Sequence, residues 1–119
     1  MIKAKRLVKS FSHALRGLNH TLFFHQNLRI HTLVAALVIF LGFLFKITAL
    51  EWAVVSAAIF FVLVAEMVNT SIEEIVDLVR KEHHSQARIA KDVAAGMVLL
   101  AAIFSLVIGL IVFLPYFLK

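Results

Sequence analysis

Three apolar runs dominate the chain: residues 32–45, 52–65 and 93–118 contain no Asp, Glu, Lys or Arg. Runs of this length ask for an apolar solvent on most sides. Of the 119 residues, 62% are hydrophobic, more than one water-soluble core of this size can hide. The bilayer supplies that solvent, and an all-α chain satisfies its backbone polar groups within each segment. A cleavable signal does not account for the pattern. The first apolar run starts only at Thr32, further runs follow it, and no small-residue cleavage pattern comes after Phe45. Cysteine is absent, which excludes disulfides and thiolate metal sites. With no linker-like stretch, residues 1–119 read as a single domain.

The segments differ in character. Over residues 3–22, Leu7, Phe11, Leu15, Leu18 and Leu22 recur at steps of three and four, while Lys5, Arg6, Lys9, His13 and Arg16 fall mostly elsewhere. Such a basic amphipathic helix suits either the headgroup boundary of an anionic leaflet or a face of its own protein. The spanning helices are expected over about 28–45, 51–80 and 88–115. The first has a short charge-free core, with Arg29, His31 and Lys46 placed to snorkel at its ends. A short turn follows from Lys46, and Trp52 stands as an interfacial anchor. The second helix meets no Pro or Gly between Glu51 and Lys91 and is expected to run out of the bilayer into water. The third is long enough to span with tilt.

Lys and Arg concentrate in the N-terminal arm (Lys3, Lys5, Arg6, Lys9, Arg16, Arg29) and in the second loop (Arg80, Lys81, Arg88, Lys91). The positive-inside rule therefore sets the N-terminus in the cytoplasm and the C-terminus outside. No nucleic-acid partner is expected.

Chemistry concentrates where the second apolar run ends. Glu66, Asn69, Glu73 and Asp77 follow one another by three, four and four residues and so share a helical face. A carboxylate at Glu66, on the edge of hydrocarbon, costs roughly 2.5–3.5 kcal/mol at a helix centre and less nearer the surface. It is expected to face a protein interior or polar cavity, where it suits a general base for an alcohol. Glu73 and Asp77 offer oxygens for Mg²⁺, which binds through one or two carboxylates plus substrate phosphates. Lys91 supplies a cation for a phosphate, and Asp92 beside it is placed to cap the third spanning helix.

Plainer readings stand beside these. Glu73, Glu74, Asp77 and Glu82 equally describe a solvated helix face. Lys91-Asp92 more often marks a boundary anchor and helix cap than a phosphate site, and His83-His84, adjacent and so pointing about 100° apart on a helix, reads as a solvated loop pair rather than a metal site. Ala94, Ala95, Gly96, Ala101, Ala102, Ser105 and Gly109 allow close helix approach, either between subunits or within one chain.

The segment Glu66-Met67-Val68-Asn69-Thr70-Ser71-Ile72-Glu73 resembles the E-x-x-N-[ST]-[AS]-I-E signature of the bacterial membrane diacylglycerol kinase family, which includes undecaprenol kinases. Lys91-Asp92 with Ala94-Ala95-Gly96 is similar to its second signature, A-K-D-x-A-[AS]-G. The likeness extends to Arg16-Gly17-Leu18, Asn27-Leu28-Arg29-Ile30-His31, Glu51-Trp52 and Phe113-Leu114-Pro115, nearly the whole chain. It implies a homotrimer in the bacterial inner membrane, with a surface helix and three spanning helices per chain and active sites between subunits. It also implies phosphoryl transfer from ATP, with Mg²⁺, to a lipid alcohol, either undecaprenol or diacylglycerol. Glu66 aligns with the general base and Glu73 with a metal carboxylate, while Asn69 lines the same site. Arg6, His13, Glu73, Asp77, Glu82, His84, Lys91 and Asp92 fall at nucleotide-contact positions.

One position departs from the family. A second metal-binding glutamate is usual where this chain has His25, and imidazole is a poor ligand for Mg²⁺. Three consequences stay open: Glu73 and the ATP phosphates suffice, His25 serves a different divalent ion, or the member is weak or inactive. The rival class is a non-catalytic membrane oligomer, a scaffold or ion-conducting assembly, with Glu66 as a packing or permeation carboxylate. Nucleotide binding separates the two.

Overall fold

The computed structural model describes residues 1–79 and 85–119, and every regular element in them is helical. In chain order these are α1 (Ala4–Phe24), α2 (Gln26–Phe45), α3 (Ala49–Val79) and α4 (Ser85–Phe117). The last three are long and apolar enough to cross a membrane. At 1.5 Å per residue, the 31 residues of α3 and 33 of α4 reach about 46 and 50 Å. Both exceed the roughly 30 Å of hydrocarbon, so each carries turns beyond the apolar layer, as the unbroken run through Glu66 predicts for α3. The expected helix over 88–115 starts earlier, at Ser85. Asp92 therefore lies two turns inside α4 and does not cap it.

One extended residue, His25 (φ −121°, ψ 111°), separates α1 from α2. Its N–H donates to Thr21 O at 2.9 Å. Arg29 reaches back from α2, donating from Nη1 to Phe23 O at 2.7 Å and Leu22 O at 3.3 Å. A cation on the last carbonyls of a helix meets both their unpaired lone pairs and the negative end of the helix dipole. Arg29, expected at the membrane boundary, thus also fastens the junction.

At the other end of α2, Lys46 adopts the left-handed conformation (φ 53°, ψ 53°). Lys46 N–H returns to Phe43 O at 3.3 Å and Ile47 N–H to Gly42 O at 3.2 Å, the paired closure of a Schellman motif. Two residues later Thr48 and Glu51 exchange bonds: Thr48 N–H to Glu51 Oε1 at 2.9 Å, and Glu51 N–H to Thr48 Oγ1 at 3.1 Å. This is a capping box, and it starts α3 as soon as α2 ends.

The buried face of α3 runs through Val55, Ala58, Val62, Ala65, Glu66, Asn69 and Thr70, a stripe stepping by three and four that widens to adjacent pairs at Ala65-Glu66 and Asn69-Thr70. Near Lys46, Val55 and Ile47 pack with Val112 and Phe113 of α4, flanked by Phe45, Trp52 and Tyr116. Further along, Val62 and Ala65 pack on Ala101, with Met97 and Val98 beside them. Ser105 Oγ donates across the α3–α4 contact to Ala58 O at 3.1 Å. Ala94 and Ala101 are buried within the chain, whereas a Cβ at Gly96 or Gly109 would meet nothing within 4 Å. The small residues therefore serve partly inside the chain and partly on an open face. Outward, Leu33, Leu37, Phe40, Phe60, Leu99 and Ile111 are exposed, far more apolar surface than a soluble monomer presents.

Candidate functional site

Glu66 occupies the point where the apolar stripe of α3 becomes polar. It is 2% exposed and is the largest fully buried side chain among the described residues. His31 of α2 approaches it, Nε2 to Oε1 at 3.5 Å, near enough for charge attraction but beyond good hydrogen-bond geometry. Among the described residues, Glu66 Oε1 and the likewise buried Asn69 Oδ1 have no hydrogen-bond partner. Leaving such groups unpaired costs on the order of 1–3 kcal/mol each. Such groups call for a partner, whether water, an ion or a ligand.

Both residues line a polar cavity of about 160 Å³ with Thr70, Glu73, His25 and Asn27. Asn69 Nδ2 donates to Glu73 Oε1 at 3.2 Å, which orients the Glu73 carboxylate and turns Asn69 Oδ1 the other way. The oxygens of Glu73 and Asn69 are hard donors of the kind Mg²⁺ accepts, so this donor set fits that ion. His25 borders the same cavity, but its Nε2 pairs with Glu74 Oε1 at 3.6 Å.

A second, apolar groove of about 450 Å³ adjoins the first site. Val34 and Val38 of α2, Ile59 and Leu63 of α3, and Leu106 and Leu110 of α4 form much of its wall. His31 belongs to this wall and also faces Glu66, so it stands between groove and carboxylate.

The other expected site residues are spread along the polar end. Lys91 Nζ pairs with Asp77 Oδ1 at 2.5 Å, fastening α4 to α3 one turn beyond Glu73. Asp92 is exposed beside it. Arg6 and His13 lie on α1 and are exposed, and Glu82 and His84 fall outside the described residues. The structure thus groups Glu66, Asn69, Glu73 and His25 at one cavity, with the Asp77–Lys91 pair adjacent. Sequence reasoning did not single out His31 as the neighbour of Glu66. The signal for it was its place as the last ionisable residue of α2 before the apolar run.

The prokaryotic diacylglycerol kinase family matches residues 12–113. An undecaprenol kinase of Bacillus subtilis (strain 168) is 41% identical over 110 residues, covering 92% of this chain and 89% of that one. A diacylglycerol kinase of Synechocystis is 39% identical over 113 residues, covering 94% of this chain and 65% of that protein. The diacylglycerol kinase of Escherichia coli (strain K12) is 22% identical over 112 residues, 94% of this chain and 92% of that one. Helices fit to cross a membrane, with a buried carboxylate where one of them turns polar, here belong to a class of lipid kinases, phosphotransferases with an alcohol acceptor. The chain is a member of the prokaryotic diacylglycerol kinase family.

Proposed function

We propose that this chain transfers the γ-phosphoryl group of ATP to the hydroxyl of a membrane polyprenol of the undecaprenol class, at the cytoplasmic face. The observation that carries the reading is Glu66, buried with an unpaired oxygen between an apolar groove and a polar cavity. The lipid chain lies along the groove and brings its hydroxyl past His31 to Glu66. Glu66 accepts the hydroxyl proton as the lipid oxygen attacks the γ-phosphorus. The P–O bond to the β-phosphate breaks and ADP leaves. Asn69 holds Glu73 in place, and Lys91, tethered by Asp77, offsets charge on the nucleotide. Magnesium held through Glu73, when bound, neutralises phosphate charge, the main requirement of phosphoryl transfer along with positioning.

The remainder of the reading is topological. The α1 helix lies on the inner leaflet, with exposed Leu7, Phe11, Leu15 and Leu18 toward lipid and its basic residues toward headgroups. The N-terminus is cytoplasmic, in keeping with the distribution of Lys and Arg. Three chains assemble through a face that includes the open Gly96, and Arg6, His13, Glu82, His84 and Asp92 serve the nucleotide. The choice of a polyprenol over diacylglycerol is supported by a groove wall in which His31 and Ser105 are the polar members. Such a wall offers little to the ester groups of a diacylglycerol.

Purified protein in mixed micelles, given γ-labelled ATP, Mg²⁺ and either lipid, tests this. Label is expected on undecaprenol in preference to diacylglycerol, and Glu66→Gln should lower transfer by about 10²–10⁴-fold, the usual worth of a general base. A folded Glu66→Gln protein with full turnover would contradict the assignment of the base. Label on diacylglycerol alone would reverse the choice of acceptor.

A further inference from the structure

At the edge of the polar cavity three side chains from different parts of the chain converge. His20 comes from the last turns of α1, His25 from the single extended residue between α1 and α2, and Glu74 from the exposed side of α3. His25 Nε2 is 3.6 Å and His20 Nε2 3.9 Å from Glu74 Oε1, and one ligand atom from each residue lies within 4.8 Å of the others. A zinc ion with bonds of about 2.0–2.2 Å would hold its donors roughly 3.3–3.6 Å apart in a tetrahedron. Two of the separations are within a few tenths of an ångström of that already. The side chains of His20 and Glu74 are exposed, and a rotation at either would close the third.

The donor chemistry differs from that of the neighbouring Glu73 and Asn69. Two imidazoles and one carboxylate suit zinc-class ions, whereas magnesium requires oxygen. The backbone of His25 is fixed in place: its N–H donates to Thr21 O, and the ring borders rather than fills the cavity.

We infer that His20, His25 and Glu74 form a binding site for a divalent zinc-class cation that clamps α1 to α3, separate from the ion carried with the nucleotide. The three protein donors leave at least one coordination position open to water. Glu74 directly follows Glu73, so the clamp sets the position of α1 relative to the catalytic face of α3. Ion binding here is measurable without turnover.

The test is titration of the full, untagged chain in detergent micelles with Co²⁺, followed by its visible absorption and by competition with Zn²⁺. One saturable site per chain is expected, displaced by Zn²⁺ and not by Mg²⁺. His20→Ala and Glu74→Gln should each weaken Co²⁺ binding by at least the roughly 10–100-fold that even outer-shell losses cost, while eluting as the same oligomer as the parent. Glu73→Gln should leave Co²⁺ affinity unchanged. Binding lost in Glu73→Gln but retained in His20→Ala would overturn the inference by assigning the ion to the nucleotide site. Absence of saturable binding, or binding lost only with His83→Ala/His84→Ala, would overturn it as well.

Discussion

α3 carries Glu51 in its first turn and Glu66 near its middle, and the two carboxylates live under opposite conditions. Glu51 lies half-buried and fully engaged: it accepts from Thr48 N–H and from the Tyr116 hydroxyl of α4, while its own N–H is capped by Thr48 Oγ1. Around it Phe45 stacks on Tyr116 at 5.7 Å and meets Phe117 edge-on at 4.9 Å. Glu66 is far more buried and less satisfied, with an oxygen and the neighbouring Asn69 oxygen left without hydrogen bonds among the described residues. The Lys46 end of the bundle is built to stay closed. At Glu66 an acceptor oxygen is left over.

That contrast can be broken in several places, and the largest effect expected is on turnover. Glu66→Gln should remove about 10²–10⁴-fold of lipid phosphorylation, whereas Glu51→Gln should retain it and lower the melting temperature. Equal losses of turnover in the two variants would erase the functional distinction. Next in size is the packing of the closed end. A Cβ on Gly42 would fall 2.5 Å from Trp52 Cη2 and 2.8 Å from Cζ2, so Gly42→Ala should destabilise by about 1–3 kcal/mol through overpacking. Denaturation in detergent reads this directly, and an unchanged midpoint would show that the Trp52 ring yields freely.

A smaller effect of opposite sign is expected at Glu66. Glu66→Leu removes a buried carboxylate with an unpaired oxygen and should raise stability by about 1–2 kcal/mol while turnover is lost. A loss of stability would show that Glu66 is satisfied and so is not held in reserve for a substrate. The smallest effect is at Lys46. Its left-handed backbone costs a non-glycine residue on the order of 1 kcal/mol, and glycine's chain entropy takes back part of the relief. Lys46→Gly should therefore stabilise by less than about 1 kcal/mol, read as a small rise in midpoint with unaltered activity.

Much of this molecule was legible in its sequence because the bilayer imposes a simple grammar. Charge-free runs gave the helices that can cross it, and steps of three and four put Glu66, Asn69 and Glu73 on one face, where Asn69 indeed bonds Glu73. Contacts between distant residues were less legible. The Tyr116–Glu51 bond joins positions 65 residues apart, and periodicity within a helix does not report which neighbour it meets. The approach of His31 to Glu66 and the return of Arg29 to the end of α1 were hidden for the same reason. The Thr48–Glu51 capping box was readable as T-x-x-E before an apolar run. The start of α4 at Ser85 was not, because polar residues 85–91 form helix as readily as loop when no breaker intervenes.

The junction at His25 has a mechanical consequence. With a single extended residue between α1 and α2 and Arg29 bolted across the joint, there is no slack to absorb a change of angle. The 21 residues of α1 act as an arm of about 31 Å, and a swivel of about 10° at the joint sweeps its Ala4 tip by about 5 Å. Residues near the pivot, such as Thr21, would barely stir while Arg6 travelled most of that arc. The shortest connection in the chain is therefore its longest lever.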